Sequence, residues 1–453
     1  MTKLLKSLWG RLLFQGRGIV PTTKFLFVYA FLSLVIIVLG SLFSFSWITI
    51  IALNITILFC SLVDLLLIPK RKEMVVKRIV DKEIERGKIN HIQIQIENRG
   101  QQTINYQLID AIPQSFASLF PLTGEIAGGN KQKVSYEIIA KVRGKYTIQT
   151  IDLRYRSQLG LWEKHMTIKQ EDQVKVIPDL TETRNYLDDA QKFMLHEGDR
   201  IRKHHRGMGE FSQIRNYVVG DDPRMINWRQ TAKTRELMTN EFEPEHGKYI
   251  TILIDCSRMM GAELKKANRL ERSLESALVV AAAALSKGDY VSVIAFSKGV
   301  KVYVPPAKGI GHLQTILQAV YNVQVDSVEA NYGEAFAYLE TVQKKRSFIL
   351  LFSDVRTFLY EKTALTYLLK MRKRHFFFMI GVEDETLHQR ADEIPETTAN
   401  SMVKSIAQQQ ILRKKRERAR WEKQGLQMME TKEEHLATAA VSYYIDTMNR
   451  NMI

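Results

Sequence analysis

From Phe25 to Val63 the chain runs 39 residues without a charged side chain. A bilayer core takes about 20 apolar residues per helix. The run therefore predicts two short spans, near 25–39 and 45–68, with Gly40 and Ser41 in a tight turn between them. Asp64 falls near the inner end of the second span, within reach of lipid headgroups. Past residue 73 the pattern changes to a period of two. His91-Ile92-Gln93-Ile94-Gln95-Ile96-Glu97 alternates and stops at Asn98-Arg99-Gly100, a turn signal. Residues 133–138 and 145–155 alternate in the same way, which predicts an all-β sandwich of about seven strands with nothing catalytic in it.

From residue 249 the apolar runs become continuous. Residues 250–254, 290–296, 348–352 and 375–380 read as strands buried on both faces, and helices are expected near 270–287, 312–321, 332–343 and 361–372. Strands alternating with helices predict a doubly wound α/β sheet. A long helix is expected over 400–423, stopped by Gly425, then a strand at 426–430 and a closing helix at 432–449. The chain is thus multidomain: a membrane anchor with two transmembrane helices over 1–72, a β-sandwich over 73–179, a linker over 180–248 and an α/β domain over 249–453.

Hydrophobic residues make up 45% of the chain and charged ones 25%, which excludes a wholly disordered or collagen-like protein. The formal net charge of +16 invites nucleic acid, an anionic membrane or an acidic protein. Its distribution narrows that choice. Lys3, Lys6, Arg11, Arg17 and Lys24 precede the first span, Lys70, Arg71 and Lys72 follow the second, and the connecting turn is uncharged. That bias puts both flanks, and with them both termini, on the cytoplasmic side of the membrane. A second basic run, Arg413–Lys423, carries seven Lys or Arg against two Glu, on one predicted helix. The cluster Arg200, Arg202, Lys203, His204, His205 and Arg206 reads as a solvated linker face or an anion site. Cys60 and Cys256 are the only cysteines, too few for a disulfide framework.

Two carboxylates end buried runs of the α/β domain, Asp255 and Asp354, with Ser257 and Ser297 nearby. Ligands bind beyond the carboxyl ends of such strands, and carboxylates with hydroxyls are hard oxygen ligands suited to Mg²⁺. The stretch Asp255-Cys256-Ser257-Arg258-Met259 resembles the Asp-x-Ser-x-Ser that opens the metal-ion-dependent adhesion site of von Willebrand factor A domains. The resemblance implies metal ligation by Asp255, Ser257 and Asp354. Met259 stands where that family has a serine, and no threonine matches near Ala330-Asn331-Tyr332. The simpler alternative is that both aspartates cap strand ends and accept backbone N–H bonds.

Upstream, Gly209-Glu210-Phe211-Ser212-Gln213-Ile214-Arg215-Asn216-Tyr217-Val218-Val219-Gly220-Asp221-Asp222-Pro223-Arg224-Met225-Ile226-Asn227-Trp228, continuing through Thr231-Ala232-Lys233 to Glu241 and Glu243, resembles the signature of the bacterial "domain of unknown function 58" family. Lys233 stands where that family usually has arginine. The resemblance extends to the membrane hairpin, the sandwich with Arg143-Gly144-Lys145-Tyr146, and the Leu159-Gly160-Leu161 piece. It implies a bacterial inner-membrane protein that is not an enzyme. Such a protein works with a MoxR-type AAA+ ATPase, and with other von Willebrand factor A-domain proteins, in assembling or maturing clients. On that reading Arg215, Tyr217, Gly220, Asp221, Asp222, Arg224, Trp228, Glu241 and Glu243 form either a partner surface or an internal brace.

Two alternatives stay open from the residues alone. One is a metal-dependent hydrolase using Asp255, Ser257 and Asp354, with His312 or His375 as base. The other is nucleic-acid binding through Arg413–Lys423, which a helix face beside an anionic membrane explains more simply. No P-loop and no Gly-x-Ser-x-Gly elbow occurs in the sequence.

Overall fold

The computed structural model describes residues 18–43, 45–197, 210–243 and 247–450; Lys3, Lys6, Arg11, Arg17 and the 200–206 cluster lie outside them. The chain divides into two compact units, Met1–Ile177 and Pro178–Ile453.

In the first unit Thr22 caps the helix Thr23–Leu42, its hydroxyl accepting the Phe25 N–H at 3.2 Å. Ser46 caps the next helix, Trp47–Ser61, and a short helix, Val63–Leu67, follows it. Both long helices are apolar all round, and Phe27, Trp47 and Ile48 are 78%, 74% and 77% exposed. A helix apolar on every face is stable in a protein core or in lipid. The first of these two, and the run Trp47–Glu73 that contains the second, are long and apolar enough to cross a bilayer and are mostly exposed, which points to membrane association.

The turn expected at Gly40 and Ser41 is corrected, because the first helix continues through both to Leu42. A Cβ on Gly40 would lie 2.7 Å from Ile50 Cδ1, so the glycine serves close approach of the two helices. Ser33 Oγ donates to Asn54 Oδ1 across the same seam, at 2.5 Å.

The sandwich has β1 (Ile19–Pro21), β2 (Met74–Ile79), β3 (Glu83–Glu85), β4 (Ile89–Asn98), β5 (Ile104–Asp110), β6 (Phe116–Ala117), β7 (Leu122–Ile126), β8 (Lys131–Ala140), β9 (Gly144–Ser157) and β10 (Trp162–Ile177). One sheet runs β1-β10-β9-β5-β7 with β3 beside β10, and the other runs β2-β4-β8-β6. The period of two delivers the core: Ile92, Ile94 and Ile96 of β4 share one buried cluster with Ile138 of the same sheet and Leu108, Ile151 and Leu153 of the other.

Asp64 does not reach headgroups. Its side chain is buried, and it accepts from Ser157 Oγ and from the backbone N–H groups of Leu161 and Trp162, both at 2.9 Å. Thr22 Oγ1 donates to the Gly160 carbonyl at 2.7 Å, Lys24 Nζ to that of Leu159 at 2.9 Å, and the Trp162 indole to Ser61 Oγ at 3.2 Å. The turn between β9 and β10 is therefore gripped by the ends of both helices. Gly160 sits there with φ of +68°, a conformation glycine adopts without steric cost.

The second unit begins with the helix Thr181–Glu197 and a separate hairpin, β11 (Glu210–Asn216) and β12 (Met238–Glu243). The α/β sheet follows: β13 (Tyr249–Asp255), β14 (Tyr290–Phe296), β15 (Val300–Ala307), β16 (Ser347–Phe352), β17 (Phe376–Val382) and β18 (Gln427–Thr431), in the order β15-β14-β13-β16-β17-β18. All pairings are parallel except β14 with β15. β15 is a strand the apolar pattern did not predict. Pro305 and Pro306 in it are compatible only with the sheet edge it occupies. Arg269–Ser286, buried along nearly its whole length, Gly311–Val320, Tyr332–Val342, Lys362–Met371 and Leu436–Asn449 are the helices of this sheet that the sequence led one to expect. The chain leaves β13 toward β14 on one side and returns to β16 on the other. The strand order therefore switches between β13 and β16, where Asp255 and Asp354 stand.

Candidate functional site

Asp255 is the last residue of β13 and is fully buried. Its Oδ1 accepts the Ser257 N–H at 2.8 Å, and its Oδ2 accepts Ser353 Oγ at 2.5 Å and Tyr332 Oη at 3.3 Å. Tyr332 Oη and Ser353 Oγ lie 2.8 Å apart. Burial pushes the Asp255 carboxyl above its ordinary range, against the pull of those hydrogen bonds. Burial likewise pushes the Tyr332 hydroxyl well up. Tyr332 and Ser353 were not singled out as site residues from sequence, although Tyr332 lies in the stretch where a threonine was sought.

Asp354 caps the short helix Val355–Leu359, its Oδ2 accepting the Thr357 N–H at 3.0 Å and Thr357 Oγ1 at 2.6 Å. Its Oδ1 is ion-paired with Arg269 Nη1, and both side chains are almost wholly buried. The second hydroxyl, Ser297 Oγ, donates to Asp326 Oδ2 at 3.0 Å, and Lys301 pairs with the same carboxylate at 2.8 Å.

Asp255, Ser257 and Asp354 do come together at the switch of strand order, and the set does not fit a divalent ion. Asp354 is met by a guanidinium and by Thr357, and Asp255 by protein donors on both oxygens. Met259 offers a thioether, a soft ligand, where a hydroxyl is needed. Among the described residues no group of three or more His, Cys, Asp or Glu side chains could hold a metal. The two histidines sit at the other end of the sheet. His375 precedes β17 and bonds Ser347 Oγ, at the start of β16, through Nδ1 at 2.8 Å. His312 Nε2 bonds the carbonyl of Val291, at the start of β14, at 3.0 Å. A strand of six residues spans roughly 20 Å, so neither imidazole reaches the Asp255 end.

The signature segment divides by chemistry. Arg215 leaves β11 and grips Asp221 with two parallel hydrogen bonds of 2.8 Å and 2.9 Å. Asp221 Oδ2 also accepts the Val218 N–H at 3.0 Å, and Tyr217 Oη donates to the Asp221 carbonyl at 3.2 Å. Glu241 of β12 adds a longer contact to Arg215 Nε, 3.4 Å. Asp222 caps the turn Pro223–Met225 through the Arg224 N–H. Asn227 caps the helix Trp228–Thr234, accepting from Gln230 N at 3.0 Å. Gly220 has φ of +112°, with open space where a Cβ would lie. Backbone conformation, not crowding, therefore calls for glycine.

These polar groups hold a loop whose valines face solvent, Val219 at 97% exposure and Val218 at 61%, and Trp228, the first residue of the following helix, is 67% exposed. Arg224, Arg229, Lys233 and Arg235 are exposed around them. Of the residues expected to meet a partner, Arg215, Tyr217, Asp221 and Asp222 are engaged within the loop, and Arg224 and Trp228 face outward. The Glu243 side chain lies outside the described residues. Val218 and Val219 stood within the signature segment in the sequence and were not singled out.

Residues 213–429 match the model of the family described as "Protein of unknown function DUF58". The uncharacterized protein YeaD of Bacillus subtilis is 28% identical over 123 residues, 27% of this chain and 30% of that protein. The match thus spans under a third of that relative's length. Among solved structures, the conserved hypothetical protein BatB from Bacteroides thetaiotaomicron is 15% identical with a TM-score of 0.30, covering 45% of this chain and all of that one. PapD-like domain 7 of human CEP192 is 17% identical with a TM-score of 0.18, over 24% of this chain and 90% of that one. A FixG-related protein from Vibrio parahaemolyticus is 15% identical with a TM-score of 0.18, over 23% of this chain and 96% of that one. Scores this low leave the fold to be read from the chain's own strand order. The family match and the YeaD likeness both support the DUF58 resemblance.

Proposed function

We propose that this chain is a scaffold held in the bacterial cytoplasmic membrane, with both termini, the sandwich and the α/β domain on the cytoplasmic side. It works there with a MoxR-type AAA+ ATPase in the assembly or maturation of other proteins, and it catalyses no reaction itself. The α/β domain is of the von Willebrand factor A type; the strand order, with its antiparallel edge strand, supports that assignment. The partner and the process come from the family resemblance.

One observation carries the interaction reading: a loop braced by Arg215 and Asp221 presents Val218 and Val219 to solvent, and Trp228, at the start of the next helix, is exposed as well. Exposed apolar side chains held on a fixed frame lose little entropy on docking, and Trp beside Arg is a common composition for the centre of an interface. The hydrolase alternative has less support, since His312 and His375, the bases considered for it, lie at the opposite end of the strands from Asp255 and Asp354. The test is co-purification of the detergent-solubilised chain with the MoxR-type ATPase of the same genome, with and without nucleotide. Recovery of the ATPase with wild type and its loss with Trp228→Ala is the expected result. Equal recovery by both proteins, or none by wild type, removes the proposal.

A further inference from the structure

We propose that Arg269 is the built-in cation of the α/β domain, standing where a divalent ion would otherwise neutralise the strand-end carboxylates, so that the site is assembled without metal.

The position of Arg269 is costly in two ways. It is the first residue of the helix Arg269–Ser286, where the helix dipole disfavours positive charge. It is also buried, at 7% exposure, where a guanidinium gives up its hydration. One partner compensates: Asp354, paired through Nη1. Among the described residues Arg269 Nε has no hydrogen-bond partner. A side chain held this way is there for its charge and not for saturated hydrogen bonding. Its placement is fixed from behind by Asn268, whose side chain caps the helix by accepting from Glu271 N at 2.9 Å. In front, it lines a cavity of about 440 Å³ together with Met259, Arg356 and Asp384.

The guanidinium also acts beyond its ion pair. Asp384 lies below the ordinary carboxylate range; burial opposes this, and the Thr386 and Leu387 hydrogen bonds with the charges of Arg269 and Arg356 produce it. Arg269 and Asp384 line the same cavity, so the guanidinium stands between the loops after β16 and after β17. A metal ion bridging loops does the same work, with one difference. A metal leaves a coordination position open for an incoming carboxylate, and Arg269 does not. The Asp255–Asp354 end of this domain is therefore a closed structural keystone, and ligand capture through a metal is not available to it.

Mn²⁺ titration followed by electron paramagnetic resonance tests this on the solubilised full chain. Wild type is expected to bind no Mn²⁺ into the millimolar range. Arg269→Ser opens the site and is expected to bind one Mn²⁺ at least tenfold more tightly, and adding Asp354→Asn abolishes that gain. Arg269→Lys keeps the charge and stays Mn²⁺-free. Stoichiometric Mn²⁺ on wild type that disappears in Asp354→Asn would overturn the proposal, as would a folded Arg269→Ser protein with no gain. Where Arg269→Ser fails to fold, wild type decides the matter, with bound Mn²⁺ counting against the proposal and its absence for it. Each result is independent of whether an ATPase binds the signature loop.

Discussion

Arg78 of β2 reaches Asp110 of β5 inside the sandwich through two hydrogen bonds, 2.9 Å and 2.5 Å, and neither side chain has any exposed surface. The same guanidinium bonds Asp172 at 2.9 Å and the carbonyls of Ile148 and Thr150, and Tyr136 Oη donates to Asp110 at 2.6 Å. The cluster ties β2 and β8 of one sheet to β5, β9 and β10 of the other. Removing one member of a buried pair strands the other charge, at a cost of about 3–5 kcal/mol. Arg78→Ala is therefore expected to lower the urea midpoint of the sandwich sharply. Arg78→Met with Asp110→Leu removes both charges and is expected to recover much of that loss. A single variant no worse than the pair would refute the assignment.

Asp64→Ala leaves the Leu161 and Trp162 N–H groups and Ser157 Oγ without their acceptor. Each stranded buried donor costs roughly 1–3 kcal/mol. The expected reading is faster proteolysis at the β9–β10 turn of protein held in detergent, with the Arg78 cluster unaffected. Cleavage kinetics matching wild type would show that the grip on this turn is immaterial.

Trp228→Ala and Arg215→Ala separate surface from frame. The first removes an exposed side chain, so melting stays within a degree or so of wild type while affinity for the ATPase falls by about 2 kcal/mol, roughly thirtyfold. The second releases Asp221, so protease cuts appear between Val218 and Asp222 and binding weakens as well. If both variants bind as wild type does, the loop is not the contact.

His375 sets a pH dependence. Burial pushes its imidazole below the ordinary value, with the Arg374 and Arg346 charges adding to that shift. The unfolded residue titrates near 6.5. The stabilisation is present above that pH and is lost as pH falls through the lower folded value, because only the unfolded chain then takes up the proton readily. Melting between pH 7.5 and 5 is expected to fall less in His375→Gln than in wild type. Parallel curves would remove His375 as the cause.

What the sequence disclosed and what it hid differ by range. The alternation of Ile92, Ile94 and Ile96 is a local signal and marks β4 with its buried face. The continuous runs ending at Asp255 and Asp354 mark β13 and β16 in the same way. Gly40 misled, because a glycine inside an apolar run looks the same whether it turns the chain or admits Ile50. Asp64 and Arg269 were illegible for another reason, since their partners lie 97 and 85 residues further along. Arg269 did leave one trace: a cation in the first turn of a helix, against the dipole, asks for a distant carboxylate. The signature residues were found as a motif, yet only geometry separated the frame from the apolar residues it exposes.

The turn gripped between Asp64 and Thr22 has a mechanical meaning. With its root hydrogen-bonded to both helix ends, the sandwich is coupled to their tilt. Helices in a bilayer tilt when the thickness of the lipid changes, and a sandwich coupled to them in this way would tilt with them. β10 has 16 residues, and at about 3.3 Å each it reaches as much as roughly 50 Å. A tilt of about 10° at the root would then swing the far tip by roughly 9 Å over the same lever. A change of bilayer thickness too small to unfold anything would thus be amplified into a displacement large enough to make or break a contact.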